Sequence, residues 1–166
     1  MHCNLAEAVA KVFWVVHGML ILVAMNSCNE GDPCEKSACI HGTCHDGTCI
    51  CYPFYEGIDC GTPERDKFLG TNWYNNRICG AVGQLYASKF DASPSSIEDV
   101  RIINVHTPPD TVYGKVHGDT IVVPLQVHGF EYIQGAGFYE DGGITLEYKV
   151  MTTTSQETSC IAIFSR

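Results

Sequence analysis

Ten cysteines in a chain of 166 residues constrain the fold more than any other feature of this sequence. Eight of them lie within the first 60 residues, and the other two are Cys79 and Cys160. Such heavy use of cysteine is uncommon in reducing compartments, where thiols stay unpaired. We therefore expect an exported protein in which most cysteines form disulfides.

The first 27 residues have the layout of a secretory signal, which supports export. Lys11 precedes the apolar run "VFWVVHGMLILVAM", and the small Ser27 comes just before Cys28. The run is interrupted by His17 and falls short of the roughly 20 apolar residues that span a bilayer. We expect residues 1–27 to be removed, and an uncleaved anchor is the alternative. The net charge of −9 then belongs to the mature chain, which makes nucleic acid an unfavourable partner.

Six closely spaced cysteines follow the leader: Cys34, Cys39, Cys44, Cys49, Cys51 and Cys60. The segment around them holds too few large apolar side chains to offset roughly 1.5 kcal/mol of ordering entropy per residue. Disulfides, at about 2–4 kcal/mol each, supply the difference. A zinc site is the competing interpretation because His41 and His45 lie among the thiols, but structural zinc favours paired knuckles in reducing compartments. Spacing alone leaves 15 possible pairings of six cysteines.

The stretch "CEKSACIHGTCHDGTCICYPFYEGIDC", residues 34–60, resembles the EGF-like domain, including the single residue between Cys49 and Cys51. Phe54 departs from the family, which usually has glycine there, so the last turn is expected to differ in shape. Pro33 stands where the calcium-binding subtype has an acidic or amide residue, and we expect no calcium site. The resemblance implies three disulfides, Cys34–Cys44, Cys39–Cys49 and Cys51–Cys60.

After Cys60, a short polar linker at residues 61–66 precedes a second domain at residues 67–166. Its dominant pattern is period two, which is plainest in "ITLEYKV" at residues 144–150. Turn sequences such as "PPD", "HGD" and "EDGG" separate the strands. The sequence therefore predicts a mainly β protein whose second domain is an eight-stranded antiparallel up-and-down barrel, because closure hides the strand edges. The predicted strands are residues 68–78, 82–90, 99–105, 111–117, 120–127, 130–139, 144–151 and 158–165.

The two remaining paired cysteines test this closure. Cys79 ends the first predicted strand and Cys160 lies near the start of the last, and these places meet in a closed barrel. A Cys79–Cys160 disulfide would close a loop of about eighty residues, where the chain-entropy model gives about 4–5 kcal/mol. An open sandwich could also bring the two cysteines together.

The entry to the second domain, "KFLGTNWY", resembles the opening strand of lipocalin-type barrels, although two residues instead of one separate Gly70 from Trp73. Arg166 is the candidate for the arginine that covers this tryptophan in lipocalins. The whole arrangement of leader, cysteine, EGF-like unit and lipocalin-like domain resembles small, functionally uncharacterised bacterial surface lipoproteins, notably of the Bacteroides group.

Loss of Cys3 with the leader leaves an odd number of cysteines, and Cys28 is the one without a proposed partner. Met25 and Ser27 fit a bacterial lipobox, although Asn26 is uncommon between them. The resemblance implies cleavage before Cys28, lipid on its sulfur, a membrane tether at residues 28–33 and location at the outer membrane or cell surface. The alternative is ordinary secretion with Cys28 free or paired to another chain.

Nothing in the sequence points to an enzyme, and we expect no catalytic residue, metal or cofactor. His106, His117 and His128 recur every 11 residues, but this interval equals one strand plus one turn, and we interpret them as surface residues beside turns. A shared metal would require further ligands that the sequence does not indicate. The "GAG" at residues 135–137 lies inside a strand and indicates close packing or a bulge.

Two functions remain open. The first is a non-enzymatic, lipid-anchored surface protein that displays a small barrel on an EGF-like spacer for interaction with protein or glycan. The second is a lipocalin-like carrier that binds a small apolar ligand, with Trp73 and Tyr148 as candidate ligand-binding residues. Strands of seven to ten residues favour display, because side chains can fill so short a barrel.

Overall fold

The computed structural model describes residues 32–35, 37–154 and 156–166. Asp32–Arg166 forms one compact unit. The predicted leader and the predicted lipidation of Cys28 lie outside the described residues. Among the residues described, no helix is both long and apolar enough to cross a membrane.

The disulfide-rich part begins with a hairpin of β1 (Gly42–His45) and β2 (Thr48–Cys51) and continues with the short strands β3 (Tyr55–Glu56) and β4 (Thr62–Pro63). Its turn is the dipeptide Asp46–Gly47, with both residues at positive φ, as tight two-residue hairpin turns require. The three disulfides are those implied by the EGF-like resemblance: Cys34–Cys44, Cys39–Cys49 and Cys51–Cys60.

The turn at Phe54 has a backbone conformation that is unusual for a residue other than glycine. Phe54 has a φ of +72°, in the left-handed region that glycine adopts most readily. Its ring lies 6.0 Å from the ring of His117 in an edge-on arrangement. This contact with the barrel accompanies the unusual conformation of Phe54.

A 3-10 helix, Glu64–Lys67, begins within the segment predicted as a linker and leads into the barrel. Glu64 accepts a hydrogen bond of 2.7 Å from the backbone N–H of Gly118. Lys67 pairs with Glu56 and with Asp119 at 2.6 Å each. Partial burial lowers the pKa of Lys67, but its hydrogen bonds to Asp119 and Glu56 outweigh burial and raise the pKa above its usual value. The helix therefore joins the disulfide-rich part to the turn between two barrel strands.

Eight antiparallel strands form a closed barrel, which confirms the predicted fold class. Each strand pairs with the next along the chain, and the last pairs with the first. Their bounds lie within two residues of the predicted ones. The strands are β5 (Gly70–Cys79), β6 (Val82–Ala92), β7 (Asp99–Ile103), β8 (Thr111–His117), β9 (Thr120–His128), β10 (Glu131–Glu140), β11 (Gly143–Thr152) and β12 (Glu157–Ser165).

Large apolar side chains fill the end of the barrel that carries the 3-10 helix, here called the helix end. Trp73 is fully buried, packs edge-on against Phe90 and donates a hydrogen bond of 3.0 Å to the carbonyl of Phe68. The guanidinium of Arg166 lies 4.1 Å from the centre of the Trp73 ring and donates to the carbonyl of Leu69. Arg166 thus covers Trp73 as the lipocalin resemblance implies.

The pairing of β5 with β12 closes the barrel and is here called the seam. Cys79 and Cys160 lie directly opposite each other in this pairing and form the predicted disulfide, with a Cα–Cα distance of 4.3 Å. The bond lies at the end of the barrel away from the 3-10 helix. The loop between β7 and β8 lies at the same end, here called the loop end.

Candidate functional site

The loop between β7 and β8 folds into the loop end of the barrel. Strand β7 ends at Ile103, two residues earlier than predicted, because Asn104 takes a φ of +63° and turns the chain inward. The loop carbonyls then accept hydrogen bonds from inward-facing side chains of β5 and β6. Ser88 donates to Asn104 at 2.6 Å, and Tyr86 donates to Val105 at 2.6 Å. Residues 104–110, here called the plug loop, therefore occupy space that a ligand would need.

A buried carboxylate holds the plug loop in shape. Asp110 is 3% exposed, and its two oxygens accept the backbone N–H groups of Val105 and His106 at 2.8 Å each. Burial raises the pKa of Tyr86 to about 12 and raises that of Tyr148 further. Both phenols therefore stay protonated at neutral pH, as required for a hydroxyl that donates to a carbonyl.

His106 lies inside this polar cluster, so its interpretation as a surface residue was wrong. Its Nδ1 is 3.1 Å from the Tyr148 hydroxyl and 3.2 Å from the Arg77 guanidinium, and its side chain is 13% exposed. Burial, followed by the positive charge of Arg77, lowers the pKa of His106 below its usual value. The inward turn of the plug loop, which strand periodicity does not reveal, accounts for the difference.

The three regularly spaced histidines lie at two opposite ends of the barrel. His117 lies at the helix end and is exposed, whereas His106 and His128 lie at the loop end. The donor atoms of Cys79, Cys160 and His106 lie within 4.8 Å of one another. Both sulfurs are bonded to each other, so neither offers the thiolate that metals bind.

Trp73 and Tyr148, the candidate ligand-binding residues, both pack within the core. Trp73 lies beneath Arg166 at the helix end, and Tyr148 is 2% exposed and contacts the plug loop at the loop end. The structure therefore places the two side chains in different layers of a filled barrel. They do not face a common open space.

A groove of about 620 Å³ lies on the outer surface of the barrel, across β9, β10, β11 and β12. Its floor includes the buried residues Val123, Tyr148 and Cys160. Its other residues combine an apolar group, a pair of amide and hydroxyl side chains and two opposite charges. The apolar residues are Val122, Pro124, Leu125 and Ile161, the neutral polar residues are Gln134 and Ser159, and the charged residues are Glu147 and Lys149. Gly135 also lines the groove.

A β-bulge shapes the groove. Two residues of β9, Pro124 and Leu125, lie opposite the single residue Gln134 of β10. Such an extra residue bends its strand. A proline is tolerated at a bulge because the bulged residue need not donate an N–H to the ladder. Close packing below the groove explains the neighbouring glycine, because a Cβ on Gly135 would overlap Tyr148 of β11. The structure confirms the packing interpretation of the "GAG" segment.

A side chain completes the barrel wall beside the groove. Strands β8 and β9 share only the pairs Lys115–Val122, Val116–Ile121 and His117–Thr120. Beyond them, the Gln126 amide accepts from the backbone N–H of Tyr113 at 2.9 Å and donates to its carbonyl at 2.8 Å. Gln126 thus takes the place of a strand partner where the bulge has displaced β9.

Exposed apolar side chains extend from the groove along β9 and the turn into β10. Phe130 is 85% exposed, and Val127 and Tyr132 also face solvent. Strand alternation does not reveal this surface, because it predicts polar residues on the outer face. The available signal was "TIVVPLQV" at residues 120–127, which is apolar at both odd and even positions.

No protein-family model matches this chain, and no curated protein matches it.

Proposed function

We propose that this chain is an exported, lipid-anchored surface protein that displays its barrel on the disulfide-rich part and binds a protein through the outer groove. The observation that carries the proposal is an apolar groove on the outside of a barrel whose inside holds its own plug loop. Soluble proteins rarely leave large contiguous apolar patches uncovered unless these patches bind something.

The chemistry of the groove favours a protein partner over a glycan. Its aliphatic walls and the exposed aromatic residues Phe130 and Tyr132 are the side chains that protein interfaces concentrate at their centres. Glu147 and Lys149, which have opposite charges, can orient a polar partner group at the rim. A single charged pair and two neutral polar side chains offer few donors for the many hydroxyls of a sugar chain.

Export and anchoring rest on the cysteines. Disulfides form and persist in oxidising compartments, so the four disulfides of this protein support export. They account for all eight cysteines in the described residues. Cys28 is left without a partner among them, in a lipobox-like sequence. A carrier function is the weaker candidate, because the plug loop and the packed Trp73 take up the barrel interior.

A matched pair of variants of the full chain tests the groove. Leu125 lies in the groove and is 58% exposed, whereas Tyr74 lies on the outer face of β5 and is 57% exposed. Cells that display the wild type, Leu125→Glu or Tyr74→Glu are incubated with host surface proteins, and bound proteins are identified after chemical cross-linking. We expect Leu125→Glu to weaken capture of the principal partner at least about tenfold and Tyr74→Glu to leave it unchanged.

Equal capture by the two variants would refute the groove as the binding surface. Binding to a glycan array that is lost in Leu125→Glu would replace protein with glycan as the partner. A small apolar molecule recovered in about equimolar amount from purified wild-type protein would favour the carrier.

A further inference from the structure

Strand β6 has a free edge at the loop end of the barrel. It pairs with β5 along most of its length, but with β7 only through residues 89–92. Within the part of the chain that the structure describes, residues 82–88 therefore pair with no strand on the side away from β5, because the chain after Ile103 turns into the barrel as the plug loop. An unpaired strand edge presents backbone donors and acceptors that another strand can bind.

One side-chain contact identifies which backbone groups face this edge. The amide of Asn104 donates a hydrogen bond of 3.0 Å to the carbonyl of Ala87, from the side away from β5. Backbone groups of alternate residues along a strand point to the same side, so those of Leu85 and Gly83 also point outward from β5. The carbonyl of Ala87 keeps a second lone pair for a further donor.

The edge lacks the features that normally prevent association. Its sequence, "VGQLYAS" at residues 82–88, contains no charged residue and no proline, and its pairing with β5 is regular without a bulge. Leu85 is 71% exposed on the outer face of the barrel. Native proteins usually protect such edges with lysine, proline or a bulge.

We propose that two copies of this chain pair through their β6 edges, antiparallel and about a two-fold axis at Leu85. In this register Leu85 lies opposite Leu85 of the second copy, and Gly83 lies opposite Ala87. Alternate residues would exchange about six backbone hydrogen bonds, which is the pattern of an antiparallel ladder. The two barrels would then share one continuous sheet across the axis.

Charge and size both favour a second copy as the occupant. A residue on a two-fold axis lies opposite its own counterpart, so a charged residue there would be repelled by its copy. The chain carries a net charge of −9, and this uncharged edge avoids that repulsion. The outward-facing residues are small, large and small in the order Gly83, Leu85 and Ala87, so the two leucines meet without crowding from their neighbours.

Photo-crosslinking of the full chain in an exporting bacterium tests the pairing. Leu85 is replaced by benzoylphenylalanine, and the same residue replaces Leu125 in a matched control at the outer groove. We expect illumination to give a product of twice the chain mass from position 85 but not from position 125. Gly83→Pro removes an N–H that faces the edge and should abolish the product, whereas Gly83→Ala keeps the N–H and should retain it.

Folding is checked independently of association. A Cβ on Gly83 comes no closer than 3.9 Å to the backbone, so Gly83→Ala should keep the wild-type fluorescence of the buried Trp73. The N–H that Gly83→Pro removes points away from β5, so this variant loses no hydrogen bond to β5 and should also keep that fluorescence. As a second measurement, sedimentation of the detergent-solubilised chain should show a dimer that Leu85→Lys converts to monomer. A product of twice the mass that survives Gly83→Pro would overturn the proposal, and so would a monomer at all concentrations. A crosslink from position 85 to a different protein would assign the edge to that protein instead.

Discussion

Removal of the seam disulfide should destabilise the barrel more than removal of any other disulfide in the described structure. The perturbation is the double substitution Cys79→Ala and Cys160→Ala. This bond joins residues 81 positions apart, whereas the other three join residues nine or ten apart. The longer loop restricts the unfolded chain more strongly, so its opening releases more conformational entropy.

The chain-entropy relation gives the expected size of the effect. For a separation of 81 residues it predicts about 4.5 kcal/mol of lost stability, and for the nine residues between Cys51 and Cys60 about 2.6 kcal/mol. For a folded unit of this size, 4.5 kcal/mol corresponds to a fall in melting temperature of roughly 15 °C. The two double variants should therefore differ in stability by about 2 kcal/mol.

Fluorescence of Trp73 provides the assay. Trp73 is fully buried at the helix end, far from the seam disulfide along β5, and the second tryptophan, Trp14, lies in the predicted leader. Urea titration at 25 °C should show a lower midpoint for the Cys79/Cys160 variant than for a Cys51→Ala, Cys60→Ala control. Peptide mapping without reduction should find the three disulfides of the disulfide-rich part intact in the seam variant.

A seam variant with the same midpoint as the wild type would mean that the disulfide does not constrain the unfolded chain. A seam variant that loses less stability than the control would show that loop length does not decide the ranking. Either result would refute the entropic reasoning.

Three further predictions test other parts of the molecule. Burial and Arg77 lower the pKa of His106 in the folded protein, so the unfolded chain binds a proton more readily. The neutral His106 therefore contributes to folding stability above about pH 6.5, and this contribution is lost as the pH falls. Thermal melts between pH 7 and 5 should therefore show a shallower loss of stability for His106→Gln than for the wild type, and equal slopes would contradict this role. Gly137→Ala would drive a Cβ into the Thr145 carbonyl and should cost about 2 kcal/mol or more by urea titration, with Gly83→Ala as a nearly neutral control. If the lipoprotein proposal is correct, the full chain expressed in a lipoprotein-processing bacterium should begin at Cys28, and mass spectrometry should find acyl chains on this first peptide. The Cys28→Ser variant should lack these acyl chains. An unmodified Cys28 thiol in the wild type would support plain secretion.

Local patterns predicted the barrel strands and the seam disulfide well. Period-two alternation as in "ITLEYKV" and short turn sequences depend on neighbouring residues, which a single sequence displays directly. The seam disulfide could be predicted because closing a meander into a barrel places Cys79, at the end of the first strand, beside Cys160, near the start of the last. The covering of Trp73 by Arg166 was predicted through the lipocalin resemblance, because no local pattern links residues so distant in the chain.

Features that depend on a change of chain direction were not predictable in this way. The inward turn at Asn104 places His106 in the polar cluster at the loop end and leaves the edge of β6 free. The bulge at Pro124 and Leu125 created the groove, and the Gln126 side chain completed the wall beside it. The turn at Asn104 and the Gln126 contact depend on backbone torsions and long-range contacts that leave no trace in hydrophobic periodicity. The bulge interrupts the alternation within "TIVVPLQV", but the sequence does not show which residue is the extra one.

The plug loop makes the barrel interior a candidate for redesign. Its carbonyls occupy the positions at which a bound molecule would accept hydrogen bonds from Tyr86, Ser88 and Asn75. Replacement of residues 104–110 by a tight turn would leave these donors lining an empty chamber at the loop end, while Trp73 and its neighbours kept the helix end packed. The natural loop therefore acts as a built-in occupant, and its removal offers a direct route from a filled scaffold to a receptor for a small acceptor-rich molecule.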